Sequence, residues 1–202
     1  IRKAIAGVVK PLPDFKGRSF FIRGSKSIEE RYIGNSNIFS DRDKKKVLKD
    51  KYKLVNPFDI VKPLYEDVKD LDDITKMQYV DIHMWMLHEI LQKADKMSMA
   101  NSLELRVPLL DKEIFALART VPTKYKVSKE NTKLAFRAAA NRDINSTTAS
   151  RKKMAFPLPM PEWLKEEKYY NILKEAFTGD IAKEFFNTEE LVKLLDIHKE
   201  GK

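Results

Sequence analysis

The sequence predicts a mostly α-helical chain, on three observations. Helix-start signals recur along its length, from Ser27 with Glu30 to Asn187 with Glu190. One long stretch, from Asp72 or Asp73 to about Lys96, is apolar on two helical stripes. Only Leu103 to Val107 alternates with the period of a strand, and Pro108 limits its continuation. At least eight helices are expected around the central one.

The elements follow in order. Ile1 to Lys16 is basic and mixed, and Pro11 and Pro13 end any short helix there. Ser27 with Glu30 and Ser40 with Asp43 have capping-box spacing, the second opening a lysine-rich helix from about Asp41 to Leu54. Asn56 and Pro57 read as N-cap and first helical residue, with Gly17, Gly24 and Gly34 marking the joints of this first third. In the central helix Val80, Met84, Leu87 and Leu91 share one stripe and Ile82, Met86 and Ile90 another. A helix apolar on two sides is expected to be buried, so its methionines and Trp85 read as core filling.

Beyond it, Leu103, Leu105 and Val107 alternate with Glu104 and Arg106, and the apolar three should anchor the segment in the core. A helix starting near Asp111 carries Ile114, Phe115, Leu117 and Ala118 and ends at Val121-Pro122. Asn131 to Asn141 forms another, with Lys133 and Arg137 four apart on one face. Ser146 to Ser150 reads as a loop, Phe156 to Pro159 as extended, and Pro161 as the start of the helix carrying Trp163. Gly179 breaks the helix after that, and Asn187 starts the last.

Composition narrows the function. With no cysteine among 202 residues, disulfides, thiolate metal sites and a cysteine nucleophile are excluded from this chain. The net charge of +9 favours an anionic partner, whether nucleic acid, phosphate or pyrophosphate. No stretch approaches the roughly 20 apolar residues of a membrane span and no signal-peptide pattern opens the chain, so the cytoplasm is the expected compartment. The first residue is Ile1 rather than Met, so a piece of a longer protein is expected. Oligomeric state stays open, a homo-oligomer included.

Asp95 to Asp111 packs three acidic and two basic residues among apolar ones. Charges are costly to bury unless they pair, so this stretch is an ion-pair knot, one wall of a site, or both. The histidines offer no metal site: His83 and His88 are about 140 degrees apart around a helix, and His88-Glu89 lacks the second histidine of a zinc-protease motif.

Several of these segments, taken in order, resemble one family. They are Tyr79-Val80, Ile90 through Ala100, Leu103 through Asp111, Lys133 with Arg137, Arg151-x-Lys153-x-x-Phe156-x-x-Pro159, and Trp163. Together they resemble the synthetase domain of glutamine-hydrolysing asparagine synthetases over roughly residues 72 to 165. The resemblance implies that ATP activates the aspartate side-chain carboxylate as an adenylate, which ammonia from a separate glutaminase domain converts to asparagine. It implies ATP and magnesium as cofactors. It also implies that residues 1–202 are the C-terminal part of a single synthetase domain, a helical fragment completing a PP-loop type α/β domain whose parallel sheet lies upstream. The family's Ser-Gly-Gly-x-Asp-Ser pyrophosphate loop, acidic glycine-rich segment and glutaminase domain are not among the 202 residues. The expected partners are therefore the upstream nucleotide-binding half and that glutaminase domain, and the piece alone should be inactive.

Adenylation expels pyrophosphate, and a positioned cation stabilises the charge that gathers on it. Loss of one such group costs on the order of 2.7 to 4 kcal/mol by analogy with oxyanion-hole donors. The resemblance assigns Lys153 this catalytic role. Lys93 is a second basic candidate, with the alternative that it only complements the negative end of the central helix. Asp95 would orient Lys93 or pair with Arg106. Arg106 is expected as a buried structural cation bridging Glu104, Asp95 or Asp111, the alternative being direct substrate contact. Two other functions remain in view. One is a related adenylating synthetase that forms another amide or a lactam; the other is a basic nucleic-acid-binding module using Lys44-Lys45-Lys46 and Lys49-Asp50-Lys51.

Overall fold

The structure, a computed structural model, describes residues 2–9, 17–34, 39, 41–50, 52, 54–152, 154 and 158–201. Helices α1 (Arg2–Val9), α2 (Arg18–Gly24), α3 (Asp41–Val47) and α4 (Pro57–Asp67) come first. Then α5 (Asp73–Asp81) passes through a π-helical stretch, Ile82–Leu91, into α6 (Gln92–Met99). A 3-10 turn at Pro108–Leu110 precedes α7 (Lys112–Thr120), α8 (Thr123–Lys126), α9 (Leu134–Asp143) and α10 (Ser146–Ser150). The chain closes with α11 (Met160–Trp163), α12 (Glu167–Thr178), α13 (Asp180–Phe185) and α14 (Thr188–Lys199). Among the described residues the strand-like pairings are isolated bridges, Leu48 with Phe186 and Val127 with Thr132, so the mostly helical expectation holds.

Two compact units share these elements, Ile1–Ser36 with Asn56–Lys152 and Asn37–Val55 with Lys153–Lys202. Each is built from separated stretches of chain, which is why no linker composition marks a division.

The first unit is centred on Ile28, Ile33, Val61, Tyr65 and Val80, with Tyr32, Phe58, Leu64, Met77 and Met84 packed around them. Its helices start where capping chemistry places them. Asn56 Oδ1 accepts the Phe58 N–H at 3.1 Å and Pro57 supplies a preset φ, so α4 begins there and turns Val61 and Tyr65, four apart, to one side. Asp72 caps α5, accepting from the N–H groups of Ile74 (3.1 Å) and Thr75 (3.2 Å) and from the Thr75 hydroxyl (2.7 Å). At Ser27, the N–H donates to Glu30 Oε2 at 2.8 Å, but only one turn follows, closed by Tyr32 N–H to the Ile28 carbonyl at 2.9 Å. That turn puts Ile28 and Ile33 into the core.

The second unit is held by α12 packed on α14. Tyr170 Oη donates to Asp196 Oδ1 at 2.6 Å, and Lys199 donates to Glu167 at 2.7 Å with its ammonium 4.0 Å from the centre of the Tyr170 ring. Gly179 separates α12 from α13, as expected.

Three expectations are corrected here. Helix α3 stops at Val47 rather than near Leu54, because distant partners take its backbone groups: Lys49 N–H donates to Phe185 O at 3.1 Å and Asn187 N–H to Val47 O at 2.8 Å. Residues Ser146–Ser150 are not a loop but the single-turn helix α10, started by Asn145 Oδ1 accepting from Thr147 N–H at 2.8 Å. The central helix exists from Asp73 to Met99, but its middle is π-helical. The wider i→i+5 ring moves residues three and four apart out of line, so the two predicted stripes do not persist. Val80 is fully buried, whereas Leu87 is 55% and Ile90 46% exposed.

Candidate functional site

The turn from α6 into Leu103–Val107 is made by backbone geometry. Ser102 sits in the left-handed region at φ 55, and Leu103 N–H reaches back to Ser98 O at 3.0 Å, satisfying a carbonyl the helix end would leave open. The chain then leaves with no strand partner among the described residues. Leu103, Leu105 and Val107 are exposed rather than anchored in the core, which corrects the expectation for this segment.

The charged residues of the stretch follow that exposure. Arg106 pairs with Glu104 as one of its expected partners, yet the side chains are 84% and 69% exposed, so the pair is not a buried knot. Asp95 neither orients Lys93 nor meets Arg106; its side chain is exposed, while its backbone carbonyl accepts from the Ser98 hydroxyl at 3.1 Å. Lys93 instead pairs with Glu89, one turn earlier, at 2.5 Å. Because α6 runs on to Met99, it is Lys96 rather than Lys93 that stands in the last turn and complements the helix dipole. Asp111 is a helix cap rather than an ion-pair partner, its Oδ1 accepting the Glu113 N–H at 2.8 Å. Four of the five residues are therefore distributed over two local ion pairs and a cap, and the Asp95 side chain belongs to none of them. Lys153 lies outside the described residues.

Upstream of Lys153 in the chain, one side chain gathers three carbonyls. Arg137, on α9, donates from Nη1 to Ala149 O and to Arg151 O, each at 2.9 Å, and from Nε to Thr132 O at 3.1 Å. Ala149 is buried. With Asn145 capping the front of α10 and the Arg137 guanidinium its back, both ends of a helix too short to persist alone are satisfied. Lys133 does not share a helical face with Arg137, because it precedes α9 in the left-handed conformation at φ 59.

A second network escaped sequence reading altogether. Lys76 Nζ donates to Glu29 Oε1 at 2.6 Å, Tyr32 Oη to Asp81 Oδ1 at 2.6 Å, and Tyr65 Oη to the Tyr32 carbonyl at 2.8 Å. The hydrogen bond from Lys76 draws the Glu29 carboxyl down to about 2. Burial, reinforced by the Asp81 carboxylate, raises the Tyr32 phenol, and burial pushes Tyr65 up to about 12. Partners 33 to 49 residues apart leave no local signal.

Lys45, Lys46 and Lys49 line a cleft of about 440 Å3 with Lys183, but Asp50 and Glu189 share it, so it is not uniformly basic. Among the described residues no three His, Asp or Glu side chains gather closely enough to hold a metal ion, and no helix is long and apolar enough to cross a membrane.

The comparisons with known proteins agree on one family. A family model described as asparagine synthase matches residues 16–202. Glutamine-hydrolyzing asparagine synthetase 1 of Bacillus subtilis (strain 168) is 39% identical over 202 residues, covering 98% of this chain and 31% of that protein. Putative glutamine-hydrolyzing asparagine synthetases of Mycobacterium bovis and of Mycobacterium tuberculosis (strain H37Rv) are each 35% identical over 202 residues, covering 100% of the chain and 31% of their own length. The chain thus spans less than a third of the curated relatives it matches. No solved structure matches.

Proposed function

The chain belongs to the asparagine synthase family, and from that premise we propose that it is the helical C-terminal part of an ATP-dependent, glutamine-using asparagine synthetase. The observation that carries this reading is the 39% identity, sustained over 98% of the chain, to a protein named glutamine-hydrolyzing asparagine synthetase.

In the proposed reaction an oxygen of the aspartate side-chain carboxylate attacks the α-phosphorus of ATP, and the bond to the β-phosphate oxygen breaks, releasing pyrophosphate. Ammonia derived from glutamine then attacks the activated carbon. The C–O bond to AMP breaks, the nitrogen loses a proton, and asparagine results. Lys153 is assigned to the departing phosphates, where a fixed cation lowers the barrier. The exposed Lys93, Asp95 and Arg106 are in keeping with a surface that another part of the polypeptide faces. Leu87, Ile90, Met97, Leu103, Leu105 and Leu109 are exposed in the same stretch of chain, an apolar surface suited to packing rather than to water.

That other part would be the upstream half, carrying the parallel sheet of a PP-loop type α/β domain, with a glutaminase domain beyond it. It would supply the pyrophosphate loop and the nucleotide cradle. The described residues of this chain do not form a magnesium site, so magnesium is given no step here. The fragment alone is inactive on this reading.

The test is to supply the full-length polypeptide with ATP, magnesium and ammonia, together with aspartate or other carboxylates in turn. AMP and asparagine should appear with aspartate, and none from the 202-residue chain alone. AMP formation with another carboxylate and not with aspartate would overturn the substrate assignment in favour of a related adenylating synthetase.

A further inference from the structure

We propose that the lysine-lined cleft of the second unit binds a small hydroxylated phosphate monoester, the phosphate of a sugar or other polyol, independently of the reaction proposed above. Lys45, Lys46, Lys49 and Lys183 line a space of about 440 Å3 together with Asp50 and Glu189. That volume is in the range of small-molecule sites. The lysines come from two stretches far apart in sequence, and backbone bonds fix the stretches side by side. Lys49 N–H donates to Phe185 O at 3.1 Å, Asn187 N–H donates to Val47 O at 2.8 Å, and Leu48 bridges Phe186 between them. The Phe185 ring stacks on Tyr52 with centroids 5.2 Å apart, so side-chain packing holds this wall as well.

Like charges gathered on a fixed wall repel one another unless something offsets them. Local pairing does not supply that offset. Among the described residues Lys45, Lys46 and Lys49 meet no carboxylate within ion-pair distance, and Lys183 meets Asp180, itself 99% exposed, at 3.3 Å. The C-terminal ends of α3 and α13 each favour a nearby cation, but those fields act within one turn and do not call for Lys49 or for both sets converging on one cleft. The charges define the ligand instead. Four ammonium groups exceed two carboxylates by two charges, an excess that a phosphate monoester of about −1.5 to −2 near pH 7 offsets. The ammonium groups donate to its oxygens, while Asp50 and Glu189 accept from hydroxyls on its organic part. A nucleic-acid strand needs cations along its whole backbone track, and the two carboxylates oppose it.

The experiment titrates the full-length polypeptide calorimetrically with glucose 1-phosphate, using inorganic phosphate, glucose and a single-stranded RNA as parallel probes. Glucose 1-phosphate should bind saturably, and glucose should not bind. The Lys49→Gln/Lys183→Gln pair should weaken that binding about tenfold or more. Lys193→Gln, on α14 but not lining the cleft, should leave it unchanged. The Asp50→Asn/Glu189→Gln pair should weaken glucose 1-phosphate several-fold yet tighten inorganic phosphate, because it removes hydroxyl acceptors and repulsion together. Every side chain changed is exposed, so thermal melts of the variants should match wild type. Absence of saturable binding, or binding that survives the double lysine change, overturns the inference and leaves the proposed function standing. Carboxylate changes that tighten both anions overturn the hydroxylated class of ligand. RNA binding that the double lysine change abolishes, with no binding of glucose 1-phosphate, overturns the inference in favour of a nucleic-acid contact.

Discussion

Tyr32 and Asp81, 49 residues apart, are joined by a hydrogen bond of 2.6 Å from phenol to carboxylate. The bond closes the core of the first unit on its polar side: Tyr32 packs against the buried cluster, its carbonyl accepts from Tyr65, and Asp81 ends the helix that carries Val80. Hydrogen bonds to a charged group contribute more than neutral ones. Tyr32→Phe should therefore lower stability by about 2 kcal/mol in urea unfolding, and Asp81→Asn by a similar amount. A double-mutant cycle should return most of that as coupling. Additive losses would show that the two residues act separately.

The Glu29 and Lys76 pair gives a pH signature. Glu29 titrates at about 2 instead of 4.5, so the folded chain binds this proton less readily than the unfolded chain. A depressed carboxyl contributes stability that is fully present above the unfolded value and is lost as pH falls from about 4.5 toward 2. Because the Glu29 side chain is 37% exposed, solvent screening keeps that contribution small. In Glu29→Gln, Tm should be lower than wild type at pH 7, and the gap should shrink as pH falls through that window. A gap that stays constant down to pH 2 would contradict the assignment.

Arg106 discriminates a surface pair from a buried one. Since Arg106 and Glu104 are both largely exposed, Arg106→Ala in the 202-residue chain should cost less than about 1 kcal/mol in a denaturant melt. A buried pair broken on one side would cost about 3 to 5 kcal/mol.

The central helix is tested at one buried and one exposed position. Val80 is fully buried, and Val80→Ala should cost about 2 kcal/mol. Leu87, 55% exposed, should cost under about 0.5 kcal/mol as Leu87→Ala in this chain. If the upstream half covers that surface, the same change in the full-length polypeptide should cost at least about 1 kcal/mol more. Equal losses in both settings would remove the packing role assigned to this face.

What was legible in the sequence was what local chemistry decides. Asn56 with Pro57, Asp72, Asp111 and Gly179 bound their helices where their side chains or their lack of one dictate. What was not legible depends on distant partners. The end of α3 at Val47 is set by Phe185 and Asn187, the burial of Ile28 by a turn that only resembles a helix start, and the role of Arg137 by carbonyls 12 and 14 residues downstream. The π-helical middle of the central helix misled the stripe count because periodicity reading presumes one turn geometry throughout. The charges of Asp95 to Asp111 misled because density of charge among apolar residues says that pairing is needed only if the segment is buried, and here it is exposed. The family resemblance read from ordered motifs was sound, and the family match extends from residue 16 to 202, beyond the motif region at both ends.

The proposed chemistry is tested most directly by oxygen tracing. The full-length polypeptide is given aspartate labelled with 18O in the side-chain carboxylate, ATP and ammonia, and the products are analysed by mass spectrometry. Adenylation makes one carboxylate oxygen the bridge to phosphorus, and ammonia then expels it with the phosphate, so the account predicts one 18O atom in each AMP and none in pyrophosphate. Label appearing in inorganic phosphate with ADP as the nucleotide product, or AMP carrying no label, would contradict it.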